Sequence, residues 1–266
     1  MRAALVADLD ELDILIADLG LDRPIHPYEI PYYGDSEDER SQQRERVHDR
    51  FRREGMLSRT GRLYAEIEDL VHLWAKPDVL LTHIATTIED GSRFLYRGGW
   101  RDRLGVLSHQ DGVTVALEEL RPAQVIDKMV AALPEWEPIY GTPATFVQPG
   151  PREPGLQPAR NGDEFFAWPG AAPPAGSGGN GDRFFDAPFL RYGLITCSTR
   201  EPDTRTRRGR DVDLGSMTWF DTTEGRFFVT AEDLPDGAVR HTITPADRSR
   251  IAEWLRDRID RERDFN

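Results

Sequence analysis

The sequence has one cysteine, Cys197, and two lysines, Lys76 and Lys128, in 266 residues. A lone cysteine closes no internal disulfide, so a reducing cytoplasm is the expected compartment. With so few lysines, nearly all positive charge is arginine, a bias spread over the whole chain rather than placed at a few positions. Positive charge is itself in deficit, and the net charge is -13. Phosphate contact needs a basic footprint, so this balance argues against a nucleic-acid binder and against docking on anionic lipid. No apolar run nears the roughly 18 residues that a membrane-spanning helix needs. The start, Met1 to Ala7, is briefly apolar and turns acidic at Asp8, which is the wrong pattern for a signal peptide. Hydrophobic residues at 38% and charged residues at 30% still leave enough for a packed core.

Enzyme signatures are also missing. The six histidines, His26, His48, His72, His83, His109 and His241, show no zinc-helix spacing, and Cys197 has no cysteine partner. Neither a nucleophile elbow nor a phosphate-binding loop pattern occurs. Gly98-Gly99 lies in or beside an expected strand, which marks a bulge or a close backbone approach. Cys197 is either a nucleophile with a nearby histidine or a small buried hydrophobe, and its setting in a strand favours the second. The arginines at 200, 205, 207, 208 and 210 are interrupted and followed by acids, so they read as a solvated hairpin loop. No cofactor or metal is expected.

What is present is a regular succession of elements. Asp8 to Leu19 reads as a helix, with Asp8 and Glu11 as a capping pair and Gly20 as its stop. Pro24, Pro27 and Pro31 force an extended exit. Ser36 and Glu39 open a very polar second helix that ends near Gly55. Leu63, Ile67, Leu70, Val71 and Trp74 form the apolar stripe of a third, ended by Pro77. The period then changes to two. Strands are expected at Val79–Ile88, Arg93–Trp100, Leu104–His109 and Val113–Leu117, with Asp90-Gly91 and Asp111-Gly112 at turns. A helix opened by Pro122 follows, with Val125, Ile126, Met129, Val130 and Leu133 inward.

Residues 148–182 differ. Dominated by proline and glycine, they cannot bury enough surface to offset ordering entropy and read as a flexible linker. Phe165, Phe166 and Trp168 form an aromatic island within it. The earlier pattern then returns, with strands at Leu190–Thr199, Leu214–Asp221, Arg226–Thr230 and Ala238–Ile243. A last helix is expected from Thr244-Pro245-Ala246-Asp247, with Ile251, Trp254, Leu255 and Ile259 buried. Each half therefore holds four strands and a helix led by Pro-Ala. The expected division is 1–147, a linker at 148–182, and 183–266, the two halves making one composite domain on a continuous sheet with a pseudo-two-fold axis.

Three segments carry a family resemblance. They are the helix Leu9–Leu19 with its proline-rich exit, Gly55-Met56-Leu57 through the helix ending at Ala75-Lys76-Pro77, and Trp219-Phe220-Asp221-Thr222 with Gly225-Arg226-Phe227-Phe228 and Pro245-Ala246-Asp247. In order and spacing they resemble the EspG family of type VII (ESX) secretion-associated proteins of actinobacteria, over roughly 4–147 and 188–260. The resemblance implies an α+β fold, with a central twisted antiparallel sheet of two pseudo-two-fold-related β-meander-plus-helix halves flanked by helical bundles. It implies a cytosolic, non-enzymatic chaperone that binds the helical tip of a PPE-like partner from a PE–PPE pair and covers its apolar patch. A scaffold or regulatory protein of the secretion system that binds no substrate is the alternative. Family contacts in the loop between the first two long strands map to Asp90-Gly91-Ser92, a tighter turn than in mycobacterial members. The candidate partner contacts are Trp100 and Arg101 at a strand end, where Trp100 is expected to be exposed, and Met217 and Trp219 on one strand face.

Overall fold

The computed structural model describes residues 4–22, 25–148, 182–201 and 210–265. The linker with its aromatic island, and the arginines at 205, 207 and 208, lie outside them. Strand β1 is Ala4–Asp8, and helices α1, α2 and α3 are Leu9–Asp18, Glu37–Arg53 and Ala65–Ala75. The first meander is β2 (Val79–Thr87), β3 (Arg93–Arg101), β4 (Leu104–Asp111) and β5 (Thr114–Leu120), followed by α4 (Pro122–Ala131). β6 (Ala144–Gln148) precedes the second meander, β7 (Phe189–Glu201), β8 (Arg210–Thr222), β9 (Gly225–Asp233) and β10 (Val239–Pro245), and α5 is Arg248–Phe265.

All strands of the described residues join one ten-stranded sheet in the order β1-β5-β4-β3-β2-β7-β8-β9-β10-β6, and every neighbouring pair is antiparallel. The β2–β7 ladder joins the halves, running from Val79↔Thr199 to Thr87↔Arg191. Outward from this seam the order is β2-β3-β4-β5-β1 on one side and β7-β8-β9-β10-β6 on the other. Over the described residues the architecture is thus α+β with a large antiparallel sheet and five α-helices.

Strand alternation assigns the two faces. Leu5, Ile84, Leu95, Val106, Val115 and Leu117 point to a core shared with α1, α2 and α3. Val79, Leu81, Leu107, Ile195, Met217 and Phe228 point the other way, under α4 and α5. Gly98 is the close approach on that second face: a Cβ there would stand 2.8 Å from Val125 Cγ1 of α4. Beyond the seam, on the first face, Phe184, Phe220, Phe227, Val229 and Ile243 form a third cluster.

Local signals account for most boundaries. The Asp8 N–H donates to the Glu11 carboxylate at 2.9 Å, and Ser36 Oγ accepts from Glu39 N–H at 3.2 Å, so both expected N-caps are in place. The last helix begins later than expected. Pro245 is the final residue of β10, paired with Phe227, and Arg250 N–H donates to Asp247 Oδ1 at 2.8 Å. Proline lacks a ladder donor, so it is tolerated at this strand end as readily as in a first helical turn. β1 and β6 were not anticipated from the sequence.

Candidate functional site

On the α4/α5 face, near the β2–β3 turn, alternation brings together His83, Tyr96 and Trp219. Trp219 is buried, and its indole Nε1 donates to His83 Nε2 at 3.1 Å. Opposite it in β7 stands Gly193, where a Cβ would fall 2.6 Å from that Nε1, so only glycine leaves the indole room. Burial, reinforced by the charge of Arg226, lowers the His83 pKa to about 3 and keeps the ring neutral.

Beside this pair lies a charged cluster. Arg226 is fully buried and grips Asp221 with Nε at 2.6 Å from Oδ1 and Nη2 at 3.0 Å from Oδ2. Its Nη2 also donates to the Pro134 carbonyl at 2.9 Å. Arg191 Nε sits 3.0 Å from the same Asp221 carboxylate, and its guanidinium lies 4.8 Å over the Trp136 ring. Trp136 in turn donates its indole N–H to the Thr222 carbonyl at 2.9 Å. These contacts strap the segment after α4 across the end of the sheet.

The β2–β3 turn at that end is tight. Gly91 takes a φ of 68°, and Ser92 N–H donates to Asp90 Oδ1 at 2.9 Å. The same Ser92 interaction holds the Asp90 carboxyl below its usual range. Two large apolar side chains flank the turn in the open, Ile88 at 49% exposure and Phe94 at 44%. Neither stood out in the sequence. The available signal was Phe94-Leu95, where period two sends one of two adjacent apolar residues away from the helical core.

The four sequence candidates fall elsewhere. Trp100 is 6% exposed and lies in the α4/α5 core, which corrects the expectation that a strand-end position would leave it open. Met217 and Trp219 join the same cluster and are equally buried. The structure therefore gathers three of the four, but beneath the surface. Arg101 is exposed, with Nε 3.0 Å from Asp78 Oδ1 and a further bond to the Lys76 carbonyl. Its distance along β3 from Phe94 is seven residues, or about 23 Å at strand rise.

No covalent chemistry is set up at Cys197. The side chain is buried, and desolvation pushes its thiol pKa up to about 12, so the thiolate is scarce at neutral pH. Among the described residues no group of three or more His, Cys, Asp or Glu could hold a metal ion, and no helix is long and apolar enough to cross a membrane.

The EspG family model matches residues 8–257. The chain belongs to the EspG family. No curated protein matches it in sequence. Among solved structures, this EspG protein is similar to the Mycobacterium tuberculosis type VII secretion system chaperone EspG5, determined in complex with a PE25–PPE41 dimer. The likeness covers 97% of this chain and 96% of that one, with a TM-score of 0.60 at 12% identity. At that identity it establishes a shared fold.

Proposed function

We propose that this protein is a cytoplasmic, non-catalytic chaperone that binds a PPE-like substrate and keeps it soluble for type VII secretion. Membership of the EspG family across residues 8–257 carries the reading. The neighbour of the same fold supports it, because that chaperone is held in complex with a PE–PPE pair. An exposed helical tip on a substrate is an aggregation hazard, and a cognate surface that buries it removes the hazard. We further propose that the two meander-plus-helix halves are related by a pseudo-two-fold axis at the β2–β7 seam and form one composite domain, with α1–α3 and α4–α5 as its flanking bundles.

For the contact surface, the exposed pair Ile88 and Phe94 beside the Asp90-Gly91-Ser92 turn is the best apolar candidate in this part of the sheet. Arg101 remains a candidate contact at the far end of β3, while Trp100, Met217 and Trp219 are buried in the α4/α5 core and offer no surface of their own. The test is calorimetry of the purified protein with PE–PPE pairs encoded near its gene. Binding without turnover is expected, and Phe94→Asp is expected to weaken it by about 2 kcal/mol. Failure to bind any such pair sinks the chaperone reading in favour of a non-binding scaffold. Intact binding by Phe94→Asp overturns only the choice of contact residue.

A further inference from the structure

A cavity of about 90 Å³ opens on the α4/α5 face beside the β2–β3 turn. Its walls are apolar, from Ala85, Phe94, Leu133 and Pro134. Its polar residues are His83, Thr86, Thr87, Tyr96, Arg191 and Trp219, and two of them, His83 and Arg191, carry a buried nitrogen without a hydrogen bond among the described residues.

His83 is the first. Trp219 Nε1 can only donate, so the His83 Nε2 that meets it is the unprotonated nitrogen, and the ring proton sits on Nδ1. That Nδ1 is buried and has no hydrogen-bond partner among the described residues. A buried donor left unsatisfied forfeits its hydration without a replacement bond, so the site favours an acceptor. Arg191 is the second. Its Nε is close to Asp221 but lacks the alignment of a hydrogen bond. Arg191 and Arg226 share the single carboxylate of Asp221, so the three side chains together carry one positive charge against the cavity wall. This is a local reversal in a chain whose net charge is -13.

An acceptor alone could be water, which fills polar cavities readily. Water does not use the excess positive charge, and it gains little from four apolar walls. A carboxylate on an apolar stem uses all three features. Size limits the stem: a cavity of about 150 Å³ holds a benzene ring, so this one takes a chain of two or three carbons. We propose that the cavity is a binding site for a carboxylate on a short apolar stem, the group shared by a short-chain fatty acid and a glutamate side chain. The His83 Nδ1–H and the Arg191 guanidinium receive the carboxylate, and Phe94, Leu133 and Pro134 cover the stem. This site does not depend on the chaperone reading.

The test is a titration of the intact protein with propionate, followed by nitrogen NMR of the histidine ring and tryptophan indole signals. A saturable shift of His83 Nδ1 and Trp219 Nε1 is expected, with half-saturation at roughly millimolar concentration. Propionamide has the same shape without the charge and is expected to bind at least about tenfold more weakly. Arg191→Met is expected to impose a similar loss while leaving the Asp221–Arg226 pair in place. N-acetylglutamate α-amide separates the sources: if it also binds, the site receives a protein side chain, and if only propionate binds, it receives a free acid. No saturable shift, or equal binding of acid and amide, overturns the proposal. So does unaltered binding by a folded Arg191→Met. The acid-to-amide comparison needs only the wild-type chain, so it decides the matter even if that variant does not fold.

Discussion

The two sides of the β2–β7 seam each bury an arginine on a strand, and they satisfy it in different ways. In the first half, Arg97 of β3 donates to three backbone carbonyls, those of His26 at 2.6 Å, Trp74 at 2.8 Å and Ala75 at 3.0 Å. Two of these end α3, where helix carbonyls lack intrahelical partners, so the guanidinium works as a cap that ties the helix to the sheet. Dipoles offset its desolvation only in part, and burial lowers its pKa to about 10. In the second half, Arg226 of β9 meets the full charge of Asp221 in a two-bond grip, with both side chains fully buried. Arg97 is thus a local fastener made of three neutral partners, whereas Arg226 has one charged partner and a single carbonyl, that of Pro134. The difference teaches where each half should fail: the first by losing a helix–sheet clasp, the second by stranding a charge.

The largest effect should come from separating the regions. Residues 188–266 expressed alone lose the β2 edge that β7 pairs with, and α5 loses its contact with α4. An exposed central strand edge invites aggregation. Insoluble or unfolded material is expected by circular dichroism, and a monomeric, cooperatively melting fragment would show instead that the halves are independent. Next comes Asp221→Ala. It leaves Arg226 buried and unpaired and should cost about 3–5 kcal/mol in urea denaturation, while the double change Asp221→Leu with Arg226→Met should cost less than either single. Arg97→Met should cost about 2–3 kcal/mol, since the three carbonyls lose a donor but no charge is stranded. If Arg97→Met proves worse than Asp221→Ala, the distinction between the halves collapses.

A smaller effect concerns acid. The folded-state pKa of His83 is about 3, against 6.5 as an ordinary histidine, so between these values the unfolded chain binds the extra proton. Stability is therefore lost as pH falls through this window, with His83 contributing up to about 1.4 kcal/mol per pH unit. Denaturation midpoints across that range should flatten in His83→Phe, and an unchanged slope would remove His83 from the account. The smallest expected effect is Phe94→Asp. The side chain is partly exposed, so stability should move by no more than about 0.5 kcal/mol, and a large drop in melting temperature would mean that the turn end is core rather than surface.

Much of this was legible in the chain itself. Period two marked all eight meander strands, with Asp-Gly or Glu-Gly at four of the turns, although β8 begins at Arg210, four residues before the expected Leu214. Side-chain alternation and a left-handed glycine are properties of near neighbours. The capping pairs Asp8/Glu11 and Ser36/Glu39 marked helix starts for the same reason. Gly98 announced a close approach without saying that Val125 would fill it. The edge strands were illegible. Leu5↔Leu117 and Ala144↔Ile243 are pairings between segments far apart in sequence, and five residues have no reason to extend until the β5 and β10 edges offer hydrogen bonds. Burial of Trp100 was equally hidden, since a strand end is open or closed according to what packs over it. So too was the meeting of His83, Trp219 and Arg191, which three strands deliver from opposite sides of the seam. By itself the sequence determined the eight meander strands and the five helices, through periodicity and turn chemistry that act over a few residues. Only the tertiary structure decided the sheet's edges, which aromatics are sealed, and which donors face a cavity, because those follow from partners that the chain brings together at long range.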